Sequence, residues 1–416
     1  MFLLRLAVKN LSRYTRRTII TAVAIAMGIA MYLAVDSMLL GAAEESERNL
    51  KWYETASLRV HTTAWWEDRL FLPLDEAIEE PQPILETIHA LGYGAVSRTR
   101  FSAELILGWE EFGEDGYLPV EITAIGEDDG TVYRYGATLA EGRFFNAGEM
   151  DGIVLGSWLA EDIGATVGSS LIVSTRGKGG FFEAFDAQVV GLVNCPNPNV
   201  NRTLVMMDIQ AADQYLGMKG AVTNIDILVP DREEVQSVQR TLSQALSSLD
   251  SSVIVLTWKD LAQDYLAIVS SKQGGSSLIL FLIFIIAAVG ISNTMLMAMY
   301  ERGGEIAMMR AMGMEERRLW VSFLLEAALI GLLGSAIGMV LGALATLYMV
   351  EVGIDLSFML RDLDMGFRIP SVMRGAWSLS SFIVAAVGGT VLSGMAAVIP
   401  VRRALKSPIT TALVRL

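Results

Sequence analysis

The chain is poor in the residues that do chemistry at active sites. Its 416 residues include one cysteine, Cys195, and two histidines, His61 and His89. A lone cysteine excludes an internal disulfide, so any domain outside the cytoplasm must be held by its core alone. Two histidines without neighbouring ligand patterns make, with one cysteine, neither a zinc site nor a convincing hydrolytic triad. Asp362-Leu363-Asp364-Met365-Gly366 has the opening of a calcium loop but lacks the downstream Glu at the required spacing. No metal site is expected. No Gly-x-x-x-x-Gly-Lys-Ser/Thr occurs, so the phosphate-cradling loop of an ATPase is absent and ATP is not expected to bind this chain by that route. Basic residues are outnumbered 32 to 46, for a net charge of −14. Residues 44–273 hold 36 acidic and 16 basic residues, so the deficit is concentrated there. An acidic region of that kind repels nucleic acid, which argues against DNA or RNA as a partner.

What the chain has instead is apolar sequence, 52% of all residues, gathered in blocks. A membrane span needs about 20 apolar residues to cross a hydrocarbon core of about 30 Å. Thr18–Ala43, Leu278–Tyr300, Leu319–Val350 and Ala376–Val401 qualify. The first follows Arg13, Arg16 and Arg17, but it is about twice the length of a signal-peptide core, so an uncleaved span is expected. Short basic flanks set orientation. Residues 1–17 carry five basic residues and no acidic ones, the 300–319 bridge carries Arg302, Arg310, Arg317 and Arg318, and the tail carries Arg402, Arg403, Lys406 and Arg415. With four spans these segments share one side, placing both termini in the cytoplasm.

The expected architecture is a membrane protein with four transmembrane helices and a large α+β extracytoplasmic domain between helices 1 and 2. In order these are an amphipathic cytoplasmic helix (1–17), span 1 (18–43), an external domain of two lobes (44–275) and span 2 (276–300). A cytoplasmic bridge (301–318), span 3 (319–350), an external loop (351–375), span 4 (376–401) and a cytoplasmic tail (402–416) follow. In the first segment, apolar positions 3, 4, 7, 8 and 11 oppose Arg5, Lys9 and Arg13, a pattern that suits the headgroup plane as well as a plain topogenic anchor. In the external domain the β-rich runs are 56–62, 120–125, 152–155, 171–175, 188–193, 203–207 and 224–229. Helical windows are 74–91, 157–163, 209–216, 232–249 and 258–271. The last leads toward span 2 through Gln273-Gly274-Gly275-Ser276-Ser277, which suits a rigid lever or a hinge. Gly331, Gly334, Gly338 and Gly342, with Gly388, Gly389, Ser393, Gly394 and Ala397, read as faces where helices pack closely in lipid.

The bridge is the most informative stretch. Glu301-Arg302-Gly303-Gly304-Glu305-Ile306-Ala307-Met308-Met309-Arg310-Ala311-Met312-Gly313 separates two long apolar runs, the first uncharged and the second with Glu326 as its only charge, and satisfies its backbone most readily as a short helix lying against something soluble. The pattern Glu-Arg-x-x-Glu-Ile-x-x-x-Arg-Ala-x-Gly after a span resembles the cytoplasmic coupling segment of the FtsX/MacB-type ABC transporter permeases. Ile399-Pro400-Val401-Arg402-Arg403-Ala404, with Pro408 and Ala412-Leu413, is similar to that family's ending. Ala7-Val8-Lys9-Asn10-Leu11 before Arg16-Arg17-Thr18 is similar to its opening. Gly142-Arg143-Phe144-Phe145, Val154-Leu155-Gly156-Ser157-x-Leu159-Ala160, Gly164-x-x-Val167-Gly168 and Val189-Val190-Gly191 follow the order of its periplasmic domain.

The resemblance implies a permease of the bacterial cytoplasmic membrane, paired with a second permease protomer, identical or not. ATP and magnesium would be held by partner ATPase subunits. The external sequence is most similar to the LolC/LolE lipoprotein-release permeases, which implies a lipoprotein drawn from the outer leaflet toward a periplasmic acceptor. An efflux permease of the MacB kind and a cargo-free signalling permease of the FtsX kind are the alternatives. The bridge would dock in an ATPase groove through Glu301, Glu305 and Arg310, with Met308, Met309 and Met312 as an adaptable apolar face. A solvated linker is the plainer account. Met27, Met31, Leu33 and Met38 would line a lipid-compatible cavity, or simply face lipid. Arg176, Lys178, Phe181, Phe182 and Phe185 fall where LolC has a hook for a periplasmic carrier. Here that insertion is shorter and lacks the hook's prolines, and a hairpin packed on its own domain competes. Asp36 and Glu326 are charges inside spans. Glu326 lies about 10 Å into span 3 and is expected to meet a basic residue near the cytoplasmic face or to help couple the ATPase.

Overall fold

The computed structural model describes residues 15–107, 116–230, 233–263, 299–355 and 372–405, with Ala7 and scattered positions between 266 and 297. Two compact units result, one from the described parts of 1–44, 268–357 and 372–416, the other from those of 45–267.

In the first unit, three helices among the described residues are long and apolar enough to cross a membrane, Thr18–Thr55, Glu316–Glu351 and Leu379–Arg403. The second expected span lies partly outside the described residues, and its described positions are helical. Most of 1–17, the loop 356–371 and the tail beyond Leu405 also lie outside them. The first helix runs from Thr15 to Leu50, beyond the apolar block. Glu44–Leu50 are mostly good helix formers, and Lys51 bonds Glu47 at 2.6 Å one turn back, a spacing that supports helix surfaces.

The glycines of the third span divide between two neighbours. A Cβ on Gly334 would meet Ile25 Cβ at 2.8 Å and the Ala22 carbonyl at 2.9 Å. On Gly338 it would meet Ile29 and Ala26, and on Gly342 the Leu33 side chain at 2.5–3.2 Å. Gly331 instead faces Ser393 and Gly389 of the last helix. Helices approach this closely in lipid only where side chains are missing, since packing rather than water exclusion drives association there. Ile25, Ile29, Leu33, Phe323, Ala327, Ile330, Ala385 and Ala397 complete the buried seam. At the far end Ser37 Oγ donates to Ala376 O at 2.9 Å.

The second unit is α+β. Its strands are β1 (Leu58–Thr62), β2 (Gly94–Leu107), β3 (Gly116–Ile125), β4 (Leu139–Gly142), β5 (Gly152–Gly156), β6 (Ser170–Arg176), β7 (Phe182–Val193), β8 (Val205–Asp208), β9 (Asn224–Leu228) and β10 (Val253–Thr257). Among the described residues they form one ten-stranded sheet in the order β10-β1-β9-β2-β3-β8-β5-β7-β4, with β6 bridging β2 and β7. Where two lobes are expected, one continuous sheet carries three apolar clusters, one of them built on Val96, Val154 and Met206. A second is centred on Leu58, Ile225 and Leu242, and a third on Leu105, Ile122, Leu155 and Val189. β2, β4 and β10 are absent from the sequence reading. The expected helix 74–91 begins only at Pro81, because proline pre-sets the first helical turn while Ile78 before it pairs with Val222.

Candidate functional site

The bridge folds as a nine-residue helix, Gly303–Ala311, capped at Met312 and turned by Gly313 at φ +89°. A side chain is strained at that φ, which accounts for glycine there. The next helix starts at Glu316. Nine residues do not hold a helix in water unaided, so packing must do so. Ile306 and Ala307 are buried, and Ile306 joins the seam with Met299, Leu319 and Phe323. The opposite side is bare, with Met308 57% and Met312 74% exposed. Met309 does not belong to that face. It packs against the buried seam, as a position three residues after Ile306 should. Glu301 is exposed, whereas Glu305 and Arg310 are half-buried.

Glu326 has a partner in Arg302, the residue before the bridge helix. Arg302 Nη1 donates to both Glu326 carboxylate oxygens, at 3.2 and 3.1 Å, and its Nε donates to Glu305 at 3.2 Å. The guanidinium also lies 5.3 Å from the Phe323 ring centre. Both Arg302 and Glu326 are buried. Removing one member of such a pair strands a charge and costs about 3–5 kcal/mol.

On the first helix, Met27 and Met31 are each 61% exposed, Met38 and Asp36 are partly exposed, and Leu33 is buried against Gly342. Leu33 therefore points away from Met27 and Met31 and belongs to the helix seam. In a helix apolar all round, hydrophobicity does not distinguish the packed face from the bare one.

The loop after β6 is a tight hairpin in which Arg176 opposes Phe182. Phe181 and Phe182 are 76% and 74% exposed, and the Arg176 guanidinium sits 4.4 Å over the Phe182 ring. Lys178 is tied back to Glu79 at 2.5 Å. Phe185 is not part of the tip. It is buried, because alternation along the strand sends it to the core face.

One cluster has no counterpart in the sequence reading. Arg59 and Asp226 face each other across β1 and β9, Nε to Oδ1 at 2.5 Å, and the Tyr133 hydroxyl and Asn224 amide donate to the other Asp226 oxygen at 2.7 and 3.0 Å. Arg98 grips Asp129 through two bonds of 2.7 and 2.8 Å, with its guanidinium 3.4 Å over the Tyr133 ring. Burial pushes the Asp226 carboxyl up, but Arg59 and Arg98 outweigh it and hold it below the usual carboxylate range. Burial pushes Asp129 up, and Arg98 offsets only part of this. A cavity of about 390 Å³ opens beside the cluster, bordered by Arg59, Arg98, Arg100 and Arg202. The signal in the sequence is a charge set among apolar neighbours, as in Asn224-Ile225-Asp226-Ile227. Such alternation ordinarily marks a solvent face, but here the strands are central and both faces are covered.

Residues 18–245 match the MacB-like periplasmic core domain, and residues 277–409 match the FtsX-like permease C-terminal domain. The chain is 28% identical over 221 residues to the lipoprotein-releasing system transmembrane protein LolC of Neisseria meningitidis, covering 51% of this chain and 52% of that one. It is 29% identical over 163 residues to an uncharacterized ABC transporter permease of Methanocaldococcus jannaschii, covering 38% and 40%. It is 24% identical over 356 residues to the macrolide export ATP-binding/permease protein MacB of Chromobacterium violaceum, covering 81% and 51%. The chain thus spans about half or less of the length of each of these relatives.

Proposed function

Because the chain belongs to the FtsX/MacB-type family of ABC transporter permeases, we propose that it is the membrane-embedded partner of a separate ATP-hydrolysing subunit, which docks on the bridge helix. The observation that carries this reading is the two-faced build of Gly303–Ala311. Ile306, Ala307 and Arg302 anchor it inward, and Met308 and Met312 stand bare outward. Methionine ridges adapt to irregular partner surfaces. ATP-driven closure of two such subunits would displace the bridge helices of two permease protomers. The whole would be a four-span protein with cytoplasmic termini in the bacterial inner membrane.

For cargo we favour a lipoprotein, drawn from the outer leaflet along the exposed Met27–Met31 side of the first helix and passed to an acceptor outside. The likeness to LolC supports this choice. The test is reconstitution in liposomes with the ATP-hydrolysing subunit and a triacylated lipoprotein. ATP-dependent release of the lipoprotein is expected. Export of a small amphiphile without lipoprotein release would favour the efflux reading, which the long match to MacB supports. ATP turnover moving neither would favour a cargo-free signalling permease.

A further inference from the structure

The bridge helix sits between a non-helical cap at Arg302, φ −101° and ψ 17°, and the left-handed turn at Gly313. Neither junction transmits force by itself, because a turn can absorb displacement that a continuous helix would pass on. Arg302 supplies the missing tie. Its planar fork offers several donors in fixed directions, and here it is divided between two elements. Nη1 holds both oxygens of Glu326 on the third span, and Nε holds Glu305 in the first turn of the bridge helix. Phe323, one turn before Glu326, closes over the guanidinium at 5.3 Å.

We infer that Arg302 is a positioning residue that clamps the bridge helix to the third span, with Glu326 as its buried anchor and Glu305 as its outward arm. The inference rests on the reading of the bridge helix as the docking element, to which it adds how a push there reaches the membrane. The Glu326 side chain is 9% exposed and the Glu305 side chain 38%. A partner's charge would therefore act on Glu305 first, and the pair with Glu326 would keep span and helix in register. A lysine could hold one carboxylate as a point charge but could not span both with fixed geometry.

The test is a distance measurement on the full chain in lipid nanodiscs, which needs no ATPase. Nitroxide labels go on Met312→Cys and Leu333→Cys, both exposed positions, with the buried Cys195 replaced by Ala. Pulsed electron resonance should give one narrow separation in the parent and several in Arg302→Gln and in Glu326→Gln. The Arg302→Glu/Glu326→Arg exchange should restore the narrow distribution, and Arg302→Lys should fall between. Single variants as narrow as the parent would overturn the clamp. So would an exchange variant as broad as the singles, since packing rather than charge pairing would then be at work. Failure of the docking reading is seen separately, as loss of crosslinking between Met312 and an ATP-hydrolysing subunit.

Discussion

Phe185 lies flat on Tyr215, with ring centres 4.0 Å apart and planes within 5°. Four positions earlier, Phe181 stands 76% exposed. One short hairpin therefore combines an aromatic root in the core with an aromatic tip outside it.

Truncating the root and the tip should separate stability from contact. Phe185→Ala removes a buried ring and should cost about 3–5 kcal/mol, seen as faster amide exchange across Val189 and Val190. The Phe181→Ser/Phe182→Ser double variant should stay within about 0.5 kcal/mol of the parent, as exposed positions usually do. It should weaken any partner that docks outside. Equal destabilisation by both changes would show that the tip is packed.

The glycine seam should be intolerant in a position-specific way. Gly338→Leu must displace Ile29 or the Ala26 backbone and should lower the thermal midpoint of the detergent-solubilised chain. Val340→Leu, at a position 62% exposed, should leave it unchanged. A similar loss from both would mean that the first and third helices do not meet along this face.

The buried charge network predicts a contrast between two ion pairs. Asp129→Asn leaves Arg98 buried without its full counter-charge and should cost about 3–5 kcal/mol. Arg143 and Glu149 pair as closely, at 2.7 Å, but at the surface, where solvent screens the interaction. Arg143→Gln should not move the unfolding midpoint. Unfolding monitored by tryptophan fluorescence reads both.

His61 gives the acid side of the stability curve. It is fully buried, stacked 4.0 Å from Trp65, with Nδ1 2.9 Å from the Thr223 carbonyl oxygen. Burial first, then the Arg59 cation, holds its pKa down to about 3, against about 6.5 in the unfolded chain. Between those values the unfolded chain takes up a proton that the folded chain refuses. Stability is therefore full above about pH 6.5 and falls by about 1.4 kcal/mol per pH unit as pH drops toward 3. Asp226, held low by its arginines, adds a loss only below the ordinary carboxylate range. His61→Gln, which can still donate to Thr223, should flatten the decline between pH 6.5 and 4.5. An unchanged slope would remove His61 from the account.

Much of this was legible where local chemistry closes an element. The helices Ser157–Ile163 and Ile209–Leu216 coincide with their sequence windows. Gly164 and Gly217 end them in the left-handed conformation, and Asp208 caps the second through Gln210 and Ala211. β2 was not legible, because Gly94–Ala103 mixes polar residues with small ones and gains its strand form from pairing with β3, β6 and β9. Glu326 stood out as a charge in an apolar run. Its partner lies 24 positions away across a turn, and no periodicity links the two. The inward turn of Leu33 and Met309 depends on neighbouring helices in the same way.

The central claim is that the bare side of the bridge helix meets an ATP-hydrolysing subunit. The direct measurement places the photocrosslinking residue p-benzoylphenylalanine at Met312 in native membranes, followed by mass spectrometry of the adduct. The account predicts a polypeptide that carries a Gly-x-x-x-x-Gly-Lys-Ser/Thr loop and hydrolyses ATP. Adducts with lipid alone, or with a protein lacking that loop, would contradict it.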